Sequence, residues 1–125
     1  MDQEPRILVV DDDPDFRAYV VACLTSSGYS NVQQALDGVD AFRQLDDGVD
    51  LVISDNSMPG MDGVQLLARM RLTLAFSTIP FVLMSGALTD NVRADALRRK
   101  ATACIDKDDI GNVEFLDAVQ KALAA

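Results

Sequence analysis

The chain has 125 residues, with 20 acidic and 11 basic side chains and a formal charge of −9. That is the length of one domain, and the charge balance argues against a surface that tracks the phosphates of a nucleic acid. There is no histidine, which removes Ser/His/Asp and Cys/His nucleophile systems, HExxH metal sites and a self-phosphorylating histidine together. Any chemistry has to run on carboxylates, hydroxyls and lysine.

No apolar run approaches the roughly 18 residues that a bilayer crossing needs. The opening MDQEPR is acidic rather than signal-like, so the expectation is a cytoplasmic protein without membrane insertion. Cys23 and Cys104 lie far apart and form no CxxC pair. They are expected to be buried small apolar residues rather than a disulfide or a zinc site.

The first apolar run, Arg6 to Val10, reads as a strand and drives into DDDPDF. Asp13 before Pro14 carries the signature of an N-cap followed by proline at the first helical position, and Asp15 adds charge to the first turn. A helix follows to about Ser27, with Phe16, Val20, Cys23 and Leu24 on one face and Gly28 in the stop position. Asp11 and Asp12 precede the cap, so capping does not account for them. Asp at positions 11, 13 and 15 resembles the start of an EF-hand loop, but that loop then requires Gly and Glu where Phe16 and Ala22 stand. The calcium reading fails there.

Further along, Asn31 to Ala35 reads as a strand and Gly38 to Leu45 as a helix. Leu51 to Ser54 is a near-continuous apolar strand that leads into Asp55, and MPGMDG turns the chain into a helix capped by Asp62. Ile79 to Ser85 is the fourth strand, with Pro80 near its start, where a missing ladder donor matters least. A helix beginning near Thr89 or Asp90 carries the basic cluster RADALRRK (93 to 100), read as a solvated face with cations near the helix C-terminus in preference to a partner-docking face. Ala103 to Asp106 and a helix from about Asn112 complete the chain.

Strand then helix, five times over, predicts βαβ units: an α/β, doubly wound parallel sheet of five strands in the flavodoxin-like order 2-1-3-4-5. In that order Asp11, Asp12, Asp55, Ser85 and Lys107 converge on the carboxyl edge, where such sheets carry function. Two carboxylates about 4 Å apart repel by roughly 4 kcal/mol at an effective dielectric of about 20, so three would protonate or recruit a cation. Mg²⁺ accepts one or two carboxylates and keeps waters that a phosphate can displace, which points to phosphoryl transfer.

Taken together, VVDDDPDF, DLVISDNSMPGMDG, PFVLMSGA and ATACIDKDD resemble the receiver domain of two-component response regulators, over about Arg6 to Leu123. The resemblance implies that Asp55 is the phosphoryl acceptor. It also implies that Asp11, Asp12, Asp55 and the backbone carbonyl of Ser57 hold Mg²⁺, or Mn²⁺ in its place. Ser85 would contact the phosphoryl group, and Lys107 would pair with the acceptor and its phosphate. The implied donor is a sensor histidine kinase or a histidine phosphotransfer protein, and the implied output is a docking surface for a downstream protein.

Four departures stand out. Asp108 follows Lys107 where the family usually has proline, often cis, so this bond is expected to be trans and the loop differently shaped. Cys104 holds a usually aromatic position, Lys100 replaces a common glycine, and Gly86 stands where alanine is commoner. Small side chains at Ser57 and Ala87 predict a phosphoryl lifetime that is not unusually long.

Three rivals are weighed. A haloacid-dehalogenase-type phosphatase would use Asp11 and Asp13, but its motif breaks at Asp15 and leaves Asp55 idle. A flavodoxin-type FMN site conflicts with an acidic loop after the first strand. A pseudo-receiver that binds without phosphorylation is disfavoured because all five site positions are filled.

Overall fold

The apolar runs become β1 (Ile7–Val10), β2 (Val32–Ala35), β3 (Leu51–Asp55), β4 (Phe81–Ser85) and β5 (Ala103–Asp106) in a computed structural model that describes residues 4–124. Residues 1–3, part of the acidic opening weighed above, lie outside it. The strands are all parallel and ordered β2-β1-β3-β4-β5, as the alternating pattern predicts. Between them run α1 (Pro14–Ser26), α2 (Gly38–Gln44), α3 (Gly63–Leu72) and α4 (Asp90–Arg98), and α5 (Val113–Ala124) follows β5.

Side chains alternate across the sheet, so each strand feeds two cores. Leu8, Val10, Phe81 and Leu83 join Leu66, Leu67 and Met70 of α3 on one face. Ile7, Val9, Ile53 and Met84 join Val20 and Leu24 of α1 and Phe115 and Val119 of α5 on the other. All residues of β1, β3 and β4 are buried, which is why they read as continuous apolar runs. Each large side chain fully removed from water contributes about 1.5–3 kcal/mol before chain entropy is counted. The sheet's central strands are therefore a stiff platform for whatever sits on their ends.

Three details differ from the sequence reading. Pro80 lies just outside β4, and its carbonyl accepts the Val52 N–H at 3.0 Å. Cys23 and Cys104 are half-buried, each packed against the edge of a core rather than enclosed within it. The basic cluster outruns its helix, because α4 ends at Arg98 and Lys100 has φ +69°.

The last point has a physical explanation. At the end of α1, Gly28 (φ +98°) donates its N–H to the Thr25 carbonyl and Tyr29 donates to Leu24, the paired bonds of a left-handed helix stop. The end of α4 repeats the pattern, with Lys100 donating to Leu97 and Ala101 donating to Ala96, both at 2.9 Å. There, however, a side chain occupies the left-handed position, at a cost of about 1–2 kcal/mol. Lys100→Gly is therefore expected to stabilise the fold by about 1 kcal/mol, and urea unfolding checks it. An unchanged midpoint would mean that the lysine stem recovers the strain through contacts of its own.

Candidate functional site

The carboxyl edge is assembled from four strand ends. Asp11 follows β1 and is fully buried, and Asp55 ends β3 and is nearly so. Ser85 ends β4 and is also buried, in the register row next to the Asp55–Met84 pair. Lys107 follows β5 at the start of a 3₁₀ turn, Lys107–Asp109. Asp12 is the exposed member. One carboxylate oxygen from each of Asp11, Asp12 and Asp55 lies within 4.8 Å of the others.

Local chemistry divides the aspartates of DDDPDF into two pairs. Asp13 is the N-cap of α1, its carboxylate accepting the Asp15 N–H at 3.0 Å and the Phe16 N–H at 3.4 Å, with Pro14 at the first helical position. Asp11 points into the site, with one oxygen accepting the Asp13 N–H at 2.9 Å and the other taking Lys107 Nζ at 3.0 Å. Arg17 steadies the same turn from outside, donating to the Asp11 carbonyl at 2.8 Å and to Gln34 at 2.9 Å.

Lys107 bridges the two buried acids, 3.0 Å from Asp11 and 3.3 Å from Asp55. Burial alone would lower its pKa, but the hydrogen bond to Asp11 and the charges of both aspartates reverse this, leaving it raised. The Asp55 carboxyl is pushed above the ordinary carboxylate range, first by burial and then by the charge of Asp11. Lys107 and the Ser57 N–H pull it back only in part. One lysine between two buried carboxylates leaves negative charge uncompensated, and the exposed Asp12 adds more at the mouth. This donor set of hard carboxylate oxygens fits a small divalent cation such as Mg²⁺.

The turn after β3 is held by backbone contacts. Asn56 donates its N–H to the Met84 carbonyl and accepts the Gly63 and Val64 N–H groups, through its carbonyl and side-chain oxygen respectively. A Cβ on Gly63 would run into the Asp55 carbonyl, so glycine lets α3 begin directly against the strand end. Asp62 and Gln65 form a reciprocal capping box that starts the helix. Ser57 is exposed in this turn and contributes its N–H to Asp55. The Ser85 hydroxyl accepts the Ala87 N–H at 3.2 Å.

After β5 the chain forms the 3₁₀ turn capped by Asp106, whose carboxylate accepts the Asp108 N–H at 2.9 Å. No described peptide bond is cis, the one before Asp108 included, as expected for that position. The ring of Phe16 was not singled out for the site by the sequence. It lies 4.2 Å from Lys107 Nζ, a cation–π contact that holds the ammonium against the buried acids. Pairing of residues this distant in the chain leaves no local signal, and the ring reads as one more apolar position on α1.

Known proteins similar to this chain bear on the geometry. The family model described as the response regulator receiver domain matches residues 7–120. A gliding motility regulatory protein of Myxococcus xanthus is 31% identical over 117 residues, covering 93% of this chain and 15% of its own length. The receiver domain of a DNA-binding response regulator from Colwellia psychrerythraea is 30% identical, with a TM-score of 0.84 and coverage of 96% and 98% of the two chains. The chemotaxis protein CheY4 of Vibrio cholerae is 26% identical, also at a TM-score of 0.84, covering 97% of this chain and all of its own. The chain spans between 15% and 34% of the length of the curated relatives it matches.

Proposed function

Because the chain belongs to the response regulator receiver family, a signalling family of two-component systems rather than one of classical enzymes, we propose that Asp55 is its phosphoryl acceptor. The observation that carries the reading is the pairing of a nearly buried Asp55 with Lys107, beside two further aspartates at the same edge. Receiver domains pair with histidine kinases and with downstream targets. Here the donor would be the phosphohistidine of a kinase or phosphotransfer protein, since the described chain has no histidine of its own.

The step is in-line displacement. A carboxylate oxygen of Asp55 forms a bond to phosphorus while the bond from phosphorus to the donor's imidazole nitrogen breaks, and the imidazole takes up a proton as it leaves. The phosphoryl oxygens gain charge where Lys107 already stands, so its ammonium stabilises them without being recruited from solvent. The Ser85 hydroxyl, anchored by the Ala87 N–H, is free to donate its proton to a phosphoryl oxygen. Mg²⁺, held by Asp11, Asp12, Asp55 and the Ser57 carbonyl, would neutralise charge on those oxygens, with Mn²⁺ able to replace it. Water later hydrolyses the acyl phosphate, and small residues at Ser57 and Ala87 leave its approach open.

The product is a dianion at a strand edge that already holds excess negative charge. Drawing Ser85 toward it would shift the loop between β4 and α4, and so the surface that a downstream protein reads. Cys104, half-buried beside β4, is too small to serve as an aromatic relay, so the loop itself would carry the change. No helix among the described residues is long and apolar enough to cross a membrane, and we infer a cytoplasmic setting, where such donors act.

Incubation with acetyl phosphate and Mg²⁺, read by intact mass, tests the assignment: one phosphoryl group is expected, mapping to Asp55. Absence of that adduct under conditions where Mg²⁺ binds would favour the pseudo-receiver. Cation binding itself should be pH-dependent, since Asp55 must lose its proton. With the Asp55 pKa raised, apparent Mg²⁺ affinity should fall about tenfold for each unit of pH below that pKa. Calorimetric titration checks this, and a pH-independent affinity would remove Asp55 from the ligand set. At about 100 times the dissociation constant, bound Mg²⁺ should stabilise the fold by about 2.7 kcal/mol.

A further inference from the structure

The basic cluster ahead of β5 does more than decorate a helix. Of the chain's 11 cationic residues, six lie between Arg69 and Lys100, and four of them, Arg71, Arg98, Arg99 and Lys100, line a cleft of about 500 Å³ between the C-terminal ends of α3 and α4. Among the described residues no carboxylate lines it, although Asp95 pairs with Arg98 and Arg99 from the turn before. On a molecule of charge −9 this is a local inversion of sign.

The cations have different duties. Arg71 is the floor, its guanidinium donating to the carbonyls of Ile79 at 2.8 Å, Lys100 at 3.0 Å and Ser77 at 3.3 Å. Those bonds join the two helix ends and leave Arg71 unable to reach outward. Arg98 and Arg99 pair with Asp95 one turn back, but their side chains are 72% and 47% exposed, so the pairs are weak and exchangeable. Among the described residues Lys100 has no carboxylate partner within ion-pair distance.

Helix-dipole complementarity explains a cation in the last turn of α4. It does not explain Lys100, which lies beyond the helix in a left-handed conformation that glycine would adopt without strain. A cation stands there at a backbone cost that glycine would avoid. Beside it, Leu72 lines the same cleft at 88% exposure, and Leu74 in the adjoining turn is 92% exposed. Apolar side chains on a rim of arginines complement a peptide rather than a nucleic acid, whose phosphates would gain nothing from leucine.

We propose that the cleft between the C-terminal ends of α3 and α4 docks an acidic, leucine-bearing segment of a partner protein. Its carboxylates take Arg98, Arg99 and Lys100, and its apolar side chain covers Leu72. The cleft lies at the end of the sheet opposite Asp55, so this docking is independent of the phosphoryl chemistry.

The test is a titration of the ¹⁵N-labelled chain with a synthetic peptide of glutamate and leucine, and with its lysine-for-glutamate counterpart, at low and high salt. Expected are amide shifts confined to residues 68–78 and 95–101, with the glutamate peptide only, weakening as salt rises. R98E/R99E should lower the affinity at least about tenfold, and L72S about threefold. Both variants should still take up phosphoryl from acetyl phosphate, which shows that they are folded. Shifts elsewhere, equal binding of the lysine peptide, or tighter binding of a single-stranded oligonucleotide would overturn the proposal. Self-association that competes with the peptide would also overturn it, by giving the cleft to a second copy of the chain.

Discussion

Asp55→Asn is expected to abolish phosphoryl uptake and, in the absence of divalent cation, to raise the melting temperature at neutral pH. The first effect follows from removing the nucleophile: uptake falls by at least about 10³-fold, as when a single essential nucleophile is deleted elsewhere. The second follows from charge. Asp55 and Asp11 are buried within 4.8 Å of one another, a bare repulsion of about 3.5 kcal/mol at an effective dielectric of about 20. Lys107 sits against both and offsets most of it, so the net gain expected from a neutral amide is about 1 kcal/mol, or roughly 3–6 °C. The pH dependence fixes the sign. The folded pKa of Asp55 lies above its unfolded value, so the native state binds the proton more tightly and stability falls as pH rises through that interval. The advantage of the variant should therefore vanish in mild acid, below the ordinary carboxylate pKa. Thermal melts across that range decide it. A variant that is less stable than the parent at neutral pH would show that the Lys107 pairing outweighs the repulsion. Retained uptake would move the acceptor elsewhere and reopen the phosphatase reading.

Lys107→Met has the opposite effect on stability. It removes the shared counter-ion of Asp11 and Asp55 and leaves two buried carboxylates facing each other. Breaking one side of a buried ion pair typically costs about 3–5 kcal/mol. Partial exposure of Lys107 reduces that here to about 2–3 kcal/mol. Two recoveries should follow: lowering the pH, which neutralises Asp55, and adding Mg²⁺, which supplies the missing positive charge to the same oxygens. Uptake from acetyl phosphate should still be slowed about 10²-fold at saturating Mg²⁺, because the ammonium no longer meets the charge developing on phosphorus. Chemical unfolding with and without Mg²⁺, paired with uptake rates, separates the two roles. Full recovery of rate along with stability would reduce Lys107 to a structural counter-ion.

Both predictions depend on a network that is only partly legible in sequence. The strand order and the convergence of Asp11, Asp12, Asp55, Ser85 and Lys107 follow from the alternation of apolar strands and amphipathic helices, because parallel crossovers are right-handed and ligands gather at the switch point. The division of DDDPDF into site and cap is likewise local: an N-cap is defined by its immediate neighbours, and Asp13 before Pro14 satisfies that rule wherever the helix lies. Helix stops were half legible. Gly28 announces its left-handed position by being glycine, whereas Lys100 does not, and α4 is shorter than its basic run suggests.

What the sequence determined alone is the fold class and which polar residues gather at the carboxyl edge of the sheet, since each depends on periodicity or on contacts within a few positions. Tertiary structure decided how those residues share charge. Lys107 lies closer to Asp11 than to Asp55, the Phe16 ring holds it in place, and Asp55 is left under-compensated. It also decided that the arginines at the C-terminal ends of α3 and α4 meet across a cleft. Such distances between residues far apart in the chain are set by how strands twist and helices pack across the whole sheet, and no local pattern encodes them.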